Sequence, residues 1–113
     1  MNNNIKIITG DLKFLIALNN SKTSFKIFEA LPLESNVRRW GDEIYFKIPV
    51  HSELEDGVEI LELGSVAYWP PGSSICIFFG KTPASTDARP QAASPVTVIG
   101  KIIDKEIISE LKK

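Results

Sequence analysis

The stretch "YWPPGSSICIFFGKTP", Tyr68 to Pro83, constrains this chain more than any other. Within it, Ile75–Phe79 is an unbroken apolar run of strand length, closed by Gly80. A run that short between turn residues reads as a strand buried on both faces, with Ile75, Ile77 and Phe79 on one side and Ser74, Cys76 and Phe78 on the other. The tandem prolines before it remove two backbone donors and force an extended path. The Trp69-Pro70-Pro71 corner therefore leaves the ladder and lies near the surface.

Strand signals recur on both sides of this centre. "IKIITGDLKFLIALN" reads as a hairpin turning at Gly10-Asp11. "DEIYFKIPV" alternates Ile44, Phe46 and Ile48 against Tyr45 and Lys47, the pattern of a half-buried strand. "VEILELGSVAYW" supplies a short strand, a glycine turn and a second strand, and "VTVIGKIID" supplies another. In "SKTSFKIFEALP", Ser21 or Thr23 can cap a helix whose Phe25, Phe28 and Ala30-Leu31 recur at helical spacing, with Pro32 as the stop. "KEIISELKK" predicts a short terminal amphipathic helix, with a strand as the alternative. "KTPASTDARPQAASP", poor in large apolar residues, predicts a long exposed loop of the kind that forms binding or lid segments. Many short strands around one or two helices predict a mainly β protein, a closed antiparallel β-barrel forming a single domain over residues 1–113.

Composition removes several function classes. The formal net charge is -1, so no overall positive field draws the chain to nucleic acid or an anionic membrane. The Arg38-Arg39 pair reads as solvated surface. No apolar run approaches the length of about 18 residues that a membrane-spanning helix needs. "MNNNIKIITG" lacks the cationic start and apolar core of a signal peptide. A single cysteine excludes an internal disulfide and fits a reducing compartment. The expectation is a soluble cytoplasmic protein.

Three motifs invite chemistry. Gly80-Lys81-Thr82 ends like a phosphate-binding loop, but position 75, where that loop carries its first glycine, is isoleucine within a strand. Cys76 has no cation beside it in sequence to stabilise a thiolate, so it reads as a small buried hydrophobe. His51 is the only histidine, and one His with one Cys does not make a usual zinc set. Glu53, Glu55 and Asp56 near it read as a charged hairpin mouth. Trp69 at the proline corner is the candidate wall of a groove.

The strands in this order resemble cyclophilins. "GSSICIFFGKT" is similar to the cyclophilin segment Gly-Ser-Gln-Phe-Phe-Ile-Cys-Thr-Ala-Lys-Thr, with Gly72, Ser73, Ile77, Lys81 and Thr82 matching without a gap. "VTVIGKIIDKEIISEL" resembles a cyclophilin strand and the short helix after it, and "EIYFKIP" and "SKTSFKIFEALP" fall at two further family elements. "WGDEIYF", "YWPPG" and "FFGKTP" look closest to a group of small archaeal and bacterial cyclophilin-like proteins. The resemblance implies a prolyl isomerase groove. Carried over by position, however, its arginine becomes Lys47, its glutamine Ser74 and its pocket phenylalanine Cys76. The phenylalanine after the proline maps to His51 or Ser52. Lysine lacks the planar fork of arginine.

The expectation is a remodelled groove formed by Tyr45, Lys47, Trp69, Ser74, Cys76 and Phe78. It would bind a proline-containing peptide or a small molecule without strong catalysis or a cofactor. The alternative is an enzyme, either a weak prolyl isomerase or another chemistry drawing on Lys47, His51, Cys76 or Arg39. A third reading is a structural or regulatory partner.

Overall fold

The computed structural model describes residues 3–113. Strands β1 (Asn3–Thr9) and β2 (Leu12–Leu18) form the expected hairpin, and Gly10 takes φ 56° in its turn. Helix α1 (Lys22–Ala30) follows, with the Ser21 side chain accepting from the Ser24 N–H as its N-cap. Strands β3 (Arg38–Arg39) and β4 (Glu43–Lys47), β5 (Val58–Ile60), β6 (Ser65–Trp69) and β7 (Ser74–Phe78) come next. The long β8 (Gln91–Ile102) and helix α2 (Glu106–Lys112) complete the fold. The prolines shape a 3₁₀ turn, Pro70–Gly72, between β6 and β7.

The strands run antiparallel in the order β1-β2-β8-β6-β7-β4-β3, with β5 added against β8. The sheet curls but hydrogen bonds do not close it, which corrects the expectation of a closed barrel. β1 and β3 are its two ends. Ile5 and Ile7 of β1 share a surface groove with Phe46 of β4, Ile75 of β7, and Leu31 and Leu33 from the segment after α1. Side chains bridge the seam because β3 is only two residues long and presents no ladder to β1.

Both faces of β7 are buried. Ile75, Ile77 and Phe79 enter the inner core with Ile16, Tyr68 and Ile99, whereas Cys76 and Phe78 pack outside it against Leu61, Ala67, Ala92 and Val96. The cover over that outer cluster comes from β5 and the first half of β8. Here the expected long loop is shorter than its composition suggests, since "QAASP" belongs to β8. Pro95 fits in the strand because β8 changes partner there, from β5 to β6.

Helix α1 departs from its expected amphipathic face. Phe25 is 59% exposed, Phe28 39%, and the buried residues are Thr23, Ser24 and Ile27. Hydrogen bonds make that polar face possible. Ser24 Oγ lies 2.8 Å from Asn19 Oδ1 and 2.9 Å from the Ile99 carbonyl. The Glu55 carboxylate accepts from the Lys22 and Thr23 N–H groups and from the Thr23 hydroxyl.

Candidate functional site

The site begins with two glycine turns that dock on each other. Gly41 takes φ 64° in the turn joining β3 to β4, so Trp40 and Glu43 stand opposite one another, with the Trp40 N–H donating to the Glu43 carbonyl at 2.8 Å. A Cβ on Gly41 would meet Pro83 Cδ at 2.8 Å and Thr82 Cα at 2.9 Å. One on Gly80 would run into the Asp42 side chain. The Asp42 N–H donates to the Lys81 carbonyl at 2.8 Å, and the Phe79 N–H to the Asp42 carbonyl at 2.9 Å. "WGDE" and "FFGKTP" are therefore two halves of one backbone contact. Gly80-Lys81-Thr82 serves that contact: Thr82 is buried and its N–H donates to Ser85 Oγ, while Lys81 is exposed.

On β4, alternation puts Glu43, Tyr45 and Lys47 on one face. Register sets Tyr45 beside Cys76, and Cys76 beside Ala67 of β6. Trp69 follows at the proline corner. Its Nε1–H donates to Ser94 Oγ at 2.7 Å, and its ring lies over Gly72, where a Cβ would come within 2.6 Å of two ring carbons. Only glycine leaves room for that ring. Between these elements lies a cavity of about 260 Å³. Its walls are the rings of Trp40, Tyr45 and Trp69 and the apolar side chains of Ala92, Ala93 and Val96, with Cys76 and Glu43 completing the lining.

Glu43 is the charged group of this cavity. Its side chain belongs to a residue only 6% exposed, and burial pushes its carboxyl up to about 7, with the Cys76 thiol beside it pulling the other way. Burial and then the adjacent Glu43 push the Cys76 thiol well above its ordinary range. Both effects favour the protonated thiol over the thiolate, and Cys76 stands in the cavity wall.

Of the six groove residues expected from sequence, Tyr45, Trp69 and Cys76 line the cavity. Lys47 shares their face but is exposed and outside the lining. Ser74 turns its hydroxyl to the Gly72 carbonyl at 2.9 Å, and Phe78 is fully buried beneath the outer cluster. His51 stands elsewhere, its Nδ1 2.9 Å from Ser73 Oγ, and lines a separate cleft beside α1. Arg39 pairs with Ile44 on the opposite face of the sheet. Its guanidinium bonds the Gly41 carbonyl, the Asp42 carboxylate and the Leu111 carbonyl, and lies 5.0 Å from the centre of the Phe79 ring. Among the described residues no group of three or more metal-ligating side chains is placed to hold an ion, and no helix is long and apolar enough to cross a membrane.

Glu43 escaped the sequence reading, and Trp40 reads from sequence as an aromatic that could wall a groove but more often belongs to the core. The signal was present, since Glu43 has the parity of Tyr45 and the Gly41-Asp42 turn returns Trp40 across from it. Ala92 and Ala93 were hidden by the reading of "QAASP" as loop, whereas Val96 opens a stretch already read as strand.

Two comparisons bear on this geometry. A family model described as cyclophilin-like matches residues 3–113. The solution structure of a hypothetical protein from Archaeoglobus fulgidus is 43% identical and superposes with a TM-score of 0.76, over 88% of this chain and 79% of that one. Among proteins of curated function, none matches.

Proposed function

We propose, from the premise that this chain belongs to the cyclophilin-like family, that the cavity under Trp69 is a binding site for a small, largely apolar ligand and not a centre of efficient prolyl isomerisation. The observation that carries the reading is the aromatic-walled cavity with a single buried carboxyl in its lining. Small-ligand sites combine apolar walls with a few placed polar groups, typically in roughly 300–1,000 Å³. At about 260 Å³ this one suits a compact molecule or one side chain of a peptide, such as a proline ring. Among the described residues no cationic fork lines the cavity: Lys47 is exposed outside the lining and Arg39 is on the other face.

The test is a thermal-shift screen of metabolites and short proline-containing peptides. Hits should lose their effect in Trp69→Ala and keep it in Lys47→Ala, whose side chain lies outside the lining. Hits that survive Trp69→Ala would place binding elsewhere and overturn the assignment.

A further inference from the structure

The walls of this cavity also carry a charge preference. Aromatic faces present the negative end of the ring quadrupole, and several rings around one space form the recognised receptor for alkylated ammonium groups. Trp40, Tyr45 and Trp69 supply three such rings, and Glu43 adds a carboxylate among them. Among the described residues no lysine, arginine or histidine forms a salt bridge with Glu43, and none lines the cavity. The carboxyl is thus buried without an internal counter-ion. Ionising it there is costly, and a cationic guest would offset that cost. Part of the wall is also held in advance. The Trp69 ring is fixed by Ser94 and by its seat over Gly72, and the Gly41 turn sets the backbone at Trp40. Such preorganisation spares a ligand the entropy of ordering the site.

We propose that the cavity binds a small organic cation of the alkylammonium class, its charged head among the three rings and against Glu43. This deepens the ligand-site reading above and rests on it. A neutral guest would satisfy the rings but leave the carboxylate unanswered, and an anion would be repelled by it.

The experiment compares choline, a blocked trimethyllysine amide, and 3,3-dimethylbutan-1-ol, the neutral compound that replaces the choline nitrogen with carbon. Binding is followed by calorimetry and by the indole N–H signals of the two tryptophans. At least one cation is expected to shift both indole signals and to bind about tenfold or more tighter than the neutral isostere. The tighter of the two cations shows whether the head group comes free or on a peptide side chain. Glu43→Gln should weaken the cation about fivefold or more and leave the neutral compound unchanged. Trp40→Leu, which keeps an apolar side chain in the wall but removes a quadrupole, gives a second reading should Glu43→Gln fold poorly, and it should weaken the cation more than the neutral compound. Equal binding of cation and isostere overturns the charge preference while leaving the ligand site standing. Binding of none of the three also overturns it, and the Trp69→Ala screen then judges the ligand site separately.

Discussion

At the residue scale the molecule turns on Glu43 and Gly72. Burial raises the Glu43 carboxyl from 4.5 to about 7, so between those values the folded state holds a proton that the unfolded chain has lost. Stability from this group is therefore complete below about pH 4.5 and is lost as pH rises through about 7. Glu43→Gln should match the native protein at pH 4 and exceed it at pH 8, by on the order of 2 kcal/mol once water reaching the carboxyl through the cavity mouth is allowed for. Urea titrations at the two pH values measure this, and an equal difference at both would refute the assignment. Gly72 makes a different prediction. Its φ is ordinary, but Gly72→Ala would drive a methyl into the Trp69 ring, break the Ser94 hydrogen bond and reshape the cavity. The Trp69 indole N–H resonance should move and ligand-induced thermal shifts should fall, whereas an unchanged spectrum would show that the ring does not need the glycine. In sequence, "WPPG" announced an exposed corner with a tryptophan. That its glycine is a seat for that ring depends on a contact no spacing rule encodes.

Elements show most clearly where sequence patterns succeed and where they mislead. Local chemistry placed the Gly10-Asp11 turn and the alternation in β4 and β7 correctly and narrowed the cap to Ser21 or Thr23, of which Ser21 serves, because each depends on neighbours in the chain. The inward face of α1 was not local. Spacing favoured Phe25 and Phe28, yet hydrogen bonds to Asn19, Ile99 and Glu55 turn Thr23 and Ser24 inward instead. Those partners lie far away in sequence for two of the three, so periodicity was blind to them. Because α1 is docked through few apolar contacts, its cap matters. Ser21→Ala should destabilise the protein by about 1 kcal/mol and speed amide exchange in Lys22–Ala30 more than in β7. Uniform acceleration in both elements would mean that α1 does not open independently. The Glu55 carboxylate, held below its usual range by the Lys22 and Thr23 N–H groups, would still hold the helix start in that variant.

The whole molecule is a curled sheet whose ends meet through side chains, and this shape decides which chemistry its face can hold. Strand content and the cyclophilin-like match were legible in the chain, but closure was not, because it depends on how β1 meets the β4 side across a gap spanned by Ile5, Ile7, Phe46 and Leu33. The curvature assembles a cavity from β4, the Trp69 corner and the first half of β8, while it leaves Lys47 in solvent and turns Arg39 toward α2. Prolyl isomerisation must lower a barrier of roughly 20 kcal/mol, and the resemblance to cyclophilins implies that a planar arginine fork and an aromatic floor serve it there. By that resemblance Cys76 falls at the position of the floor and Lys47 at that of the fork, and in this cavity the charged side chain of the lining is Glu43. Each lost positioned donor costs roughly a hundredfold or more in rate. The protein should therefore accelerate isomerisation of a proline tetrapeptide at least about a hundredfold less than an ordinary cyclophilin assayed beside it. Lys47→Arg alone should not restore activity, because the side chain at this position is exposed and outside the cavity lining. Efficiency close to the ordinary enzyme, or rescue by that one substitution, would mean that the groove closes around its substrate and brings that cation in.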